Sequence, residues 1–166
     1  MAGSFGRMLA LGLAGALLAV PARSAEIKVF RDSGTQVQIV TVVGELALSD
    51  GEAFAAATAR VRNGAVLFDS PGGSVIAGLQ IGQLIRLRHY ATFSSDAWLC
   101  ASACAIAWLA GVPRMMQPDS HIGFHAAFNS DTHTESGAAN ALVGAYFNRL
   151  GLGFEAVAFA LSLIHI

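Results

Sequence analysis

The chain has 166 residues, 54% of them apolar and 13% charged, with a formal net charge of −1. That length can bury a real core in one domain. A near-neutral charge without a basic run excludes a nucleic-acid footprint.

Arg7 precedes the apolar run Met8–Val20, followed by Pro21, Ala22, Arg23, Ser24 and Ala25. A basic start, about a dozen apolar residues and a small-residue exit describe a secretory signal peptide over 1–24. The run is shorter than the ~20 residues a membrane span needs, which sets aside the alternative of an uncleaved anchor. Cleavage after Ser24, with Ala22 at −3, or after Ala22 would place the product in the periplasm or outside the cell. The mature chain then begins near Ala25.

Gln36–Val43 is β-branched and partly alternating, and predicts a strand. Ser49 and Glu52 have the spacing of a capping box, with a helix continuing over Phe54–Arg62. Ala65–Phe68 predicts a short buried strand that ends in the turn Asp69-Ser-Pro-Gly-Gly-Ser74. Val75–Arg88 carries a broad apolar helical face. Ala91–Phe93 predicts a strand, and Ala101–Leu109 a helix stopped by Gly111 and Pro113. Arg114–Met116 and Ile122–Phe124 follow as short strands. Ser136–Leu150 predicts a helix closed by Gly151, and a last helix ends near Ala160. The alternation argues for an α/β fold with largely parallel strands in one domain over 25–160. Leu161-Ser-Leu-Ile-His-Ile166 reads as a non-native tail from library preparation, so the chain reads as C-terminally truncated.

The chemistry gathers at Leu99–Phe128. A serine is a weak nucleophile until a neighbouring base takes its proton, and Ser102 and His125 supply those two groups. Gly72-Gly73 and Ser102 mark two turn-to-helix corners whose free N–H groups could hold an anion. Taken singly, each has a plainer reading: a common turn, a small packing residue, a structural histidine. Cys100 and Cys104 flank the serine. One helical turn separates i and i+4 by about 6 Å, inside the disulfide range, and an exported chain permits the bond. Two buried thiols packing the turn are the alternative, and both readings stay open. Two cysteines without a clustered partner make a poor zinc site, and no metal or cofactor is expected.

Together, Asp69-Ser-Pro-Gly-Gly-Ser-Val75, Ala101-Ser-Ala-Cys104, Ala110-Gly111 and Asp119-Ser-His-Ile-Gly-Phe-His125 resemble the proteolytic subunit of the Clp protease, in its secreted, uncharacterised branch. The resemblance runs from about Val37 to Phe154. It implies a crotonase-like fold of stacked ββα units, a peptide or protein substrate, and a homo-oligomer. By the same resemblance, Ser102 is the nucleophile, His125 the general base, and the Gly73 and Ala103 amides form the oxyanion hole. The acidic third member of that family lies beyond the helix ending near Ala160; Asp131 and Glu135 do not fall on its position. Signal peptide peptidases of similar fold use a serine–lysine pair instead, but Lys28, the one lysine of the chain, precedes the first predicted strand. The expected function is an exported serine hydrolase of peptidase type. A catalytically inactive relative that binds peptide or assembles is the alternative. An acyl-CoA enzyme of the same fold is disfavoured by export.

Overall fold

The computed structural model describes residues 24–31, 34 and 36–162. Except for Ser24, the signal-peptide reading lies outside the described residues, as do residues 163–166 of the suspect tail. Among the described residues there are seven strands and five helices: β1 Glu26–Arg31, β2 Gln38–Val43, α1 Asp50–Ala57, β3 Gly64–Asp69, α2 Val75–Leu87, β4 Ala91–Ser94, β5 Leu99–Ala101, α3 Ala103–Trp108, β6 Arg114–Met116, β7 His121–Gly123, α4 Gly137–Arg149 and α5 Phe154–Ala160.

Five strands form one sheet in the order β1-β2-β3-β4-β6, parallel except for the antiparallel edge strand β1. Parallel neighbours cannot be joined by a tight turn, so each is reached by a crossover. α1 joins β2 to β3, α2 joins β3 to β4, and β5 with α3 joins β4 to β6. The fold is therefore mixed α/β with a mostly parallel sheet. β3 shows the two-residue period of a strand: Val66 and Phe68 are fully buried, while Ala65 and Leu67 on the other face are half-buried. The buried side packs with Val40 and Val42 of β2, Phe54 of α1, and Ile81 and Ile85 of α2. Each such side chain contributes about 1.5–3 kcal/mol by leaving water.

β5 and β7 form a separate parallel pair, Leu99 to His121, Cys100 to Ile122 and Ala101 to Gly123. An isolated bridge from Ser70 to Cys100 ties this pair to the end of β3. The layout carries the turn after β3, the start of α3 and the end of β7 to one place.

Several local expectations shift. β1 lies outside the expected strands: its charged Glu26, Lys28 and Arg31 leave an edge strand little hydrophobic signal. The capping box of Ser49 and Glu52 does not form. Ser49 is itself helical and its hydroxyl caps nothing. Asp50, fully buried, reaches back instead to the Ala47 N–H at 2.7 Å. The reciprocal half of the box is thus supplied two residues earlier than its spacing suggested. α1 begins at Asp50 and stops at Ala57, and the start of the predicted α3 is a strand.

α4 closes as read. Ser136 accepts from the Ala139 N–H, and Gly151 (φ +80°) sends its N–H to the Asn148 carbonyl while Leu152 N–H reaches Phe147. That pair of bonds is a Schellman cap. α4 buries Tyr146 against α2, where a Cβ added to Gly82 would run into the phenol oxygen. The Tyr146 hydroxyl has no hydrogen-bond partner among the described residues. Burial pushes this phenol well above its usual value of 10.0, with the Arg86 charge pulling it partly back. The folded state therefore holds the proton more tightly than the unfolded one. Stability is fully present below about pH 10 and falls as the pH rises beyond it. Tyr146→Phe should remove that alkaline loss and, by deleting an unpartnered buried hydroxyl, stabilise the protein by about 1 kcal/mol at neutral pH. Denaturant titrations at neutral and alkaline pH check both; a variant that weakens in parallel with wild type would contradict the assignment.

Candidate active site

Two backbone stretches meet at the site. After β3, Ser70 donates its N–H to the Leu99 carbonyl (2.7 Å) and accepts from the Ala101 N–H at its own carbonyl (3.0 Å). Its buried hydroxyl accepts from the Gly72 N–H at 3.1 Å, which fixes the turn. Asp69 adds an acceptor for the Leu99 N–H. Gly72 and Gly73 have φ of +99° and +129°, backbone that a side chain would strain. Beyond them Leu46 donates its N–H to the Gly72 carbonyl and accepts from the Ser74 N–H. A residue bracketed in this parallel manner turns its own N–H away from the partner strand. The Gly73 N–H accordingly has no acceptor among the described residues.

Ser102 stands between β5 and α3. Its N–H donates to the Gly123 carbonyl at 2.8 Å, and its backbone sits at φ +56°, ψ −125°. A non-glycine residue at positive φ is strained by about 1–3 kcal/mol, and such strain collects at functional sites. The corner is held from both sides. Cys100 in β5 and Cys104 in the first turn of α3 are joined as a disulfide, both fully buried. Of the two readings left open by the spacing, the disulfide is the one found. The Ala103 N–H, first in α3, also has no acceptor among the described residues.

The disulfide spans Ser102, so its loss should loosen the corner. Alkylation in denaturant should give no adduct without a reductant and two after reduction. Replacing both cysteines by alanine should lower stability by about 2 kcal/mol, small because the closed loop is short. Two adducts without reduction would contradict the bond.

His125 follows β7, half-buried, with its ring against Phe128 at a centroid distance of 5.4 Å. Its Nδ1 lies 2.7 Å from the Ala126 carbonyl. A carbonyl can only accept, so Nδ1 carries a proton, and in the neutral ring the lone pair is then on Nε2. Ser102, His125 and Gly73 line one open cleft of about 630 Å³ with Glu45, Val75 and Phe128. No hydrogen bond joins Ser102 Oγ to His125 in this structure. The far lip is a tight loop in which Phe128 bridges Glu135 and Asn129 Oδ1 takes the Asp131 and Thr132 N–H groups. Asn140 of α4 holds its base through the Ala127 N–H at 2.7 Å.

Ser102, His125, Gly73 and Ala103 are thus brought to one region of the fold. Asp131 and Glu135 are exposed on the lip and do not bond to His125. What residue-type reasoning missed is the Ala126 carbonyl, because a main-chain acceptor has no letter in a sequence. It also missed the Ser70 hydroxyl that sets the glycine turn. Among the described residues no three His, Cys, Asp or Glu side chains cluster as a metal site, and no helix is long and apolar enough to cross a membrane. Compared with known proteins, the chain matches no family model and no curated protein sequence.

Proposed function

We propose that this protein is an exported serine hydrolase of peptidase type, with a crotonase-like, Clp protease-like core. The observation that carries the reading is the Ser102 corner: a serine held at positive φ, stapled by a disulfide, opposite a histidine with a free Nε2. Ser102 Oγ attacks the substrate carbonyl while His125 Nε2 takes its proton. The Gly73 and Ala103 N–H groups, both without acceptors among the described residues, are the donors this reading assigns to the carbonyl oxygen as it gains charge. His125 then returns the proton to the leaving amine, and water repeats the sequence on the acyl-enzyme.

The open cleft suits an extended peptide better than an enclosed small molecule, and its Val75 and Phe128 walls suit apolar side chains. Assembly into a homo-oligomer belongs to this proposal. The test is covalent labelling of the folded protein by a fluorophosphonate probe, with the adduct mapped by mass spectrometry. An adduct on Ser102 supports the reading; a folded protein without one favours a peptide-binding or assembly role for the same cleft.

A further inference from the structure

Asp50 is fully buried at the start of α1 and does not line the cleft that holds Ser102 and His125. Its Oδ1 accepts from the Ser24 hydroxyl at 2.5 Å, and its Oδ2 from the N–H groups of Ala25 (2.9 Å) and Ala47 (2.7 Å). Neutral donors satisfy the lone pairs, but a buried carboxylate ordinarily has a counter-charge as well. Among the described residues no cation forms an ion pair with it; the one ion pair they contain joins Lys28 to Glu26 on the surface. Two of its three donors come from the residues on either side of a single peptide bond, Ser24–Ala25.

That bond is also where the small-residue pattern at Ala22 and Ser24 sets a cleavage site. We infer that Asp50 is a built receptor for the α-ammonium of Ala25, created when the leader is removed after Ser24. Hydrolysis of the bond consumes one water, leaves the carboxylate on Ser24, and gives Ala25 a protonated amine at the position its N–H occupies now. The nitrogen already stands 2.9 Å from Oδ2, and the new N–H groups can replace the departing Ser24 hydroxyl at Oδ1. With Ser24 attached Ala25 is only 7% exposed, so the bond is cut before the chain folds and the amine closes onto Asp50 as it does. Processing thus supplies the missing charge and locks the N-terminus beside α1, the helix that packs on α2. The inference rests on the export reading but not on hydrolase activity.

The experiment starts from the exported protein carrying Lys28→Arg, which leaves the α-amine as its one reactive amine. Terminal sequencing should read Ala25. Acetylation with an activated ester near pH 8 should fail on the folded protein and proceed in denaturant. After refolding, the acetylated chain should melt on the order of 10 °C lower, because a buried charge has lost its partner. Asp50→Asn should make the amine reactive in folded protein; if that variant does not fold, the acetylation comparison still decides. A terminus at Arg23 overturns the inference. So does an Ala25 amine that acetylates freely in the folded protein without a change in melting, an outcome that leaves export intact. An uncleaved Met1 terminus overturns export and this inference together. None of these readings depends on whether Ser102 reacts.

Discussion

Ser102→Ala should abolish covalent labelling and lower any hydrolytic rate by about four to six orders of magnitude, with little change in stability. Removing the nucleophile of a serine–histidine unit has effects of that size, because the two groups act together. The stability half of the expectation comes from the surroundings. Ser102 Oγ is not needed by the fold: it caps nothing in α3, while the corner is held by the Gly123 carbonyl and the disulfide. Alanine retains the side chain's Cβ and changes no backbone partner. His125→Ala should keep the nucleophile but lose the proton acceptor, slowing labelling by about 10²–10⁴-fold. Its ring also touches Phe128, so a modest loss of stability accompanies it. The rates against the probe, with circular dichroism as the folding control, check all of this. Wild-type labelling by Ser102→Ala would remove the hydrolase proposal.

The Nδ1 contact bears on how that chemistry depends on a carboxylate. An acid beside a catalytic histidine fixes the tautomer and stabilises the imidazolium. The Ala126 carbonyl at 2.7 Å can do the first and, as a dipole, part of the second. Asp131→Asn and Glu135→Gln lie on the exposed lip and should leave the labelling rate unchanged.

Much of the frame was legible because parallel strands buried between layers need continuous apolar runs, and Ala65–Phe68 is such a run. The helix over Val75 was legible from its apolar face, and the end of α4 from Gly151. The failures have specific causes. β5 is three residues long and sits in Leu99-Cys-Ala-Ser-Ala-Cys104, whose alanines favour a helix; its pairing with His121–Gly123 overrides that preference. The capping box was misplaced because Asp50 and Glu52 offer equivalent chemistry, and only burial against Ala25 chooses Asp50. Ser102 and His125 stand out through their motif context, whereas the hydrogen bonds that help orient each of them go to main chain. The acceptors are the backbone carbonyls of Gly123 and Ala126, which no residue letter records.

Gly72→Ala should damage the site and the fold together, and its pattern separates a positioned serine from an incidental one. Gly72 has φ +99°, so any side chain there is strained. A Cβ built at this position falls 2.6 Å from the Ala101 carbonyl oxygen, 2.6 Å from Ser102 Cβ and 3.0 Å from the Ala103 nitrogen. All three belong to the corner, and two are backbone atoms with no rotamer by which to escape. The turn after β3 and the corner must therefore separate, carrying the Gly73 and Ala103 amides apart. A displacement near 1 Å in a reacting group can lower a rate about 100-fold, so labelling should fall at least that far. Stability should fall by about 2–4 kcal/mol from strain and lost packing. Gly137→Ala is the control, since nothing lies within 4 Å of its added Cβ and the position is the first of α4. It should be neutral or slightly stabilising and should label like wild type. Gly72→Ala labelling at the wild-type rate would mean that the two stretches need not meet for Ser102 to react, and the proposed oxyanion site would fail with it.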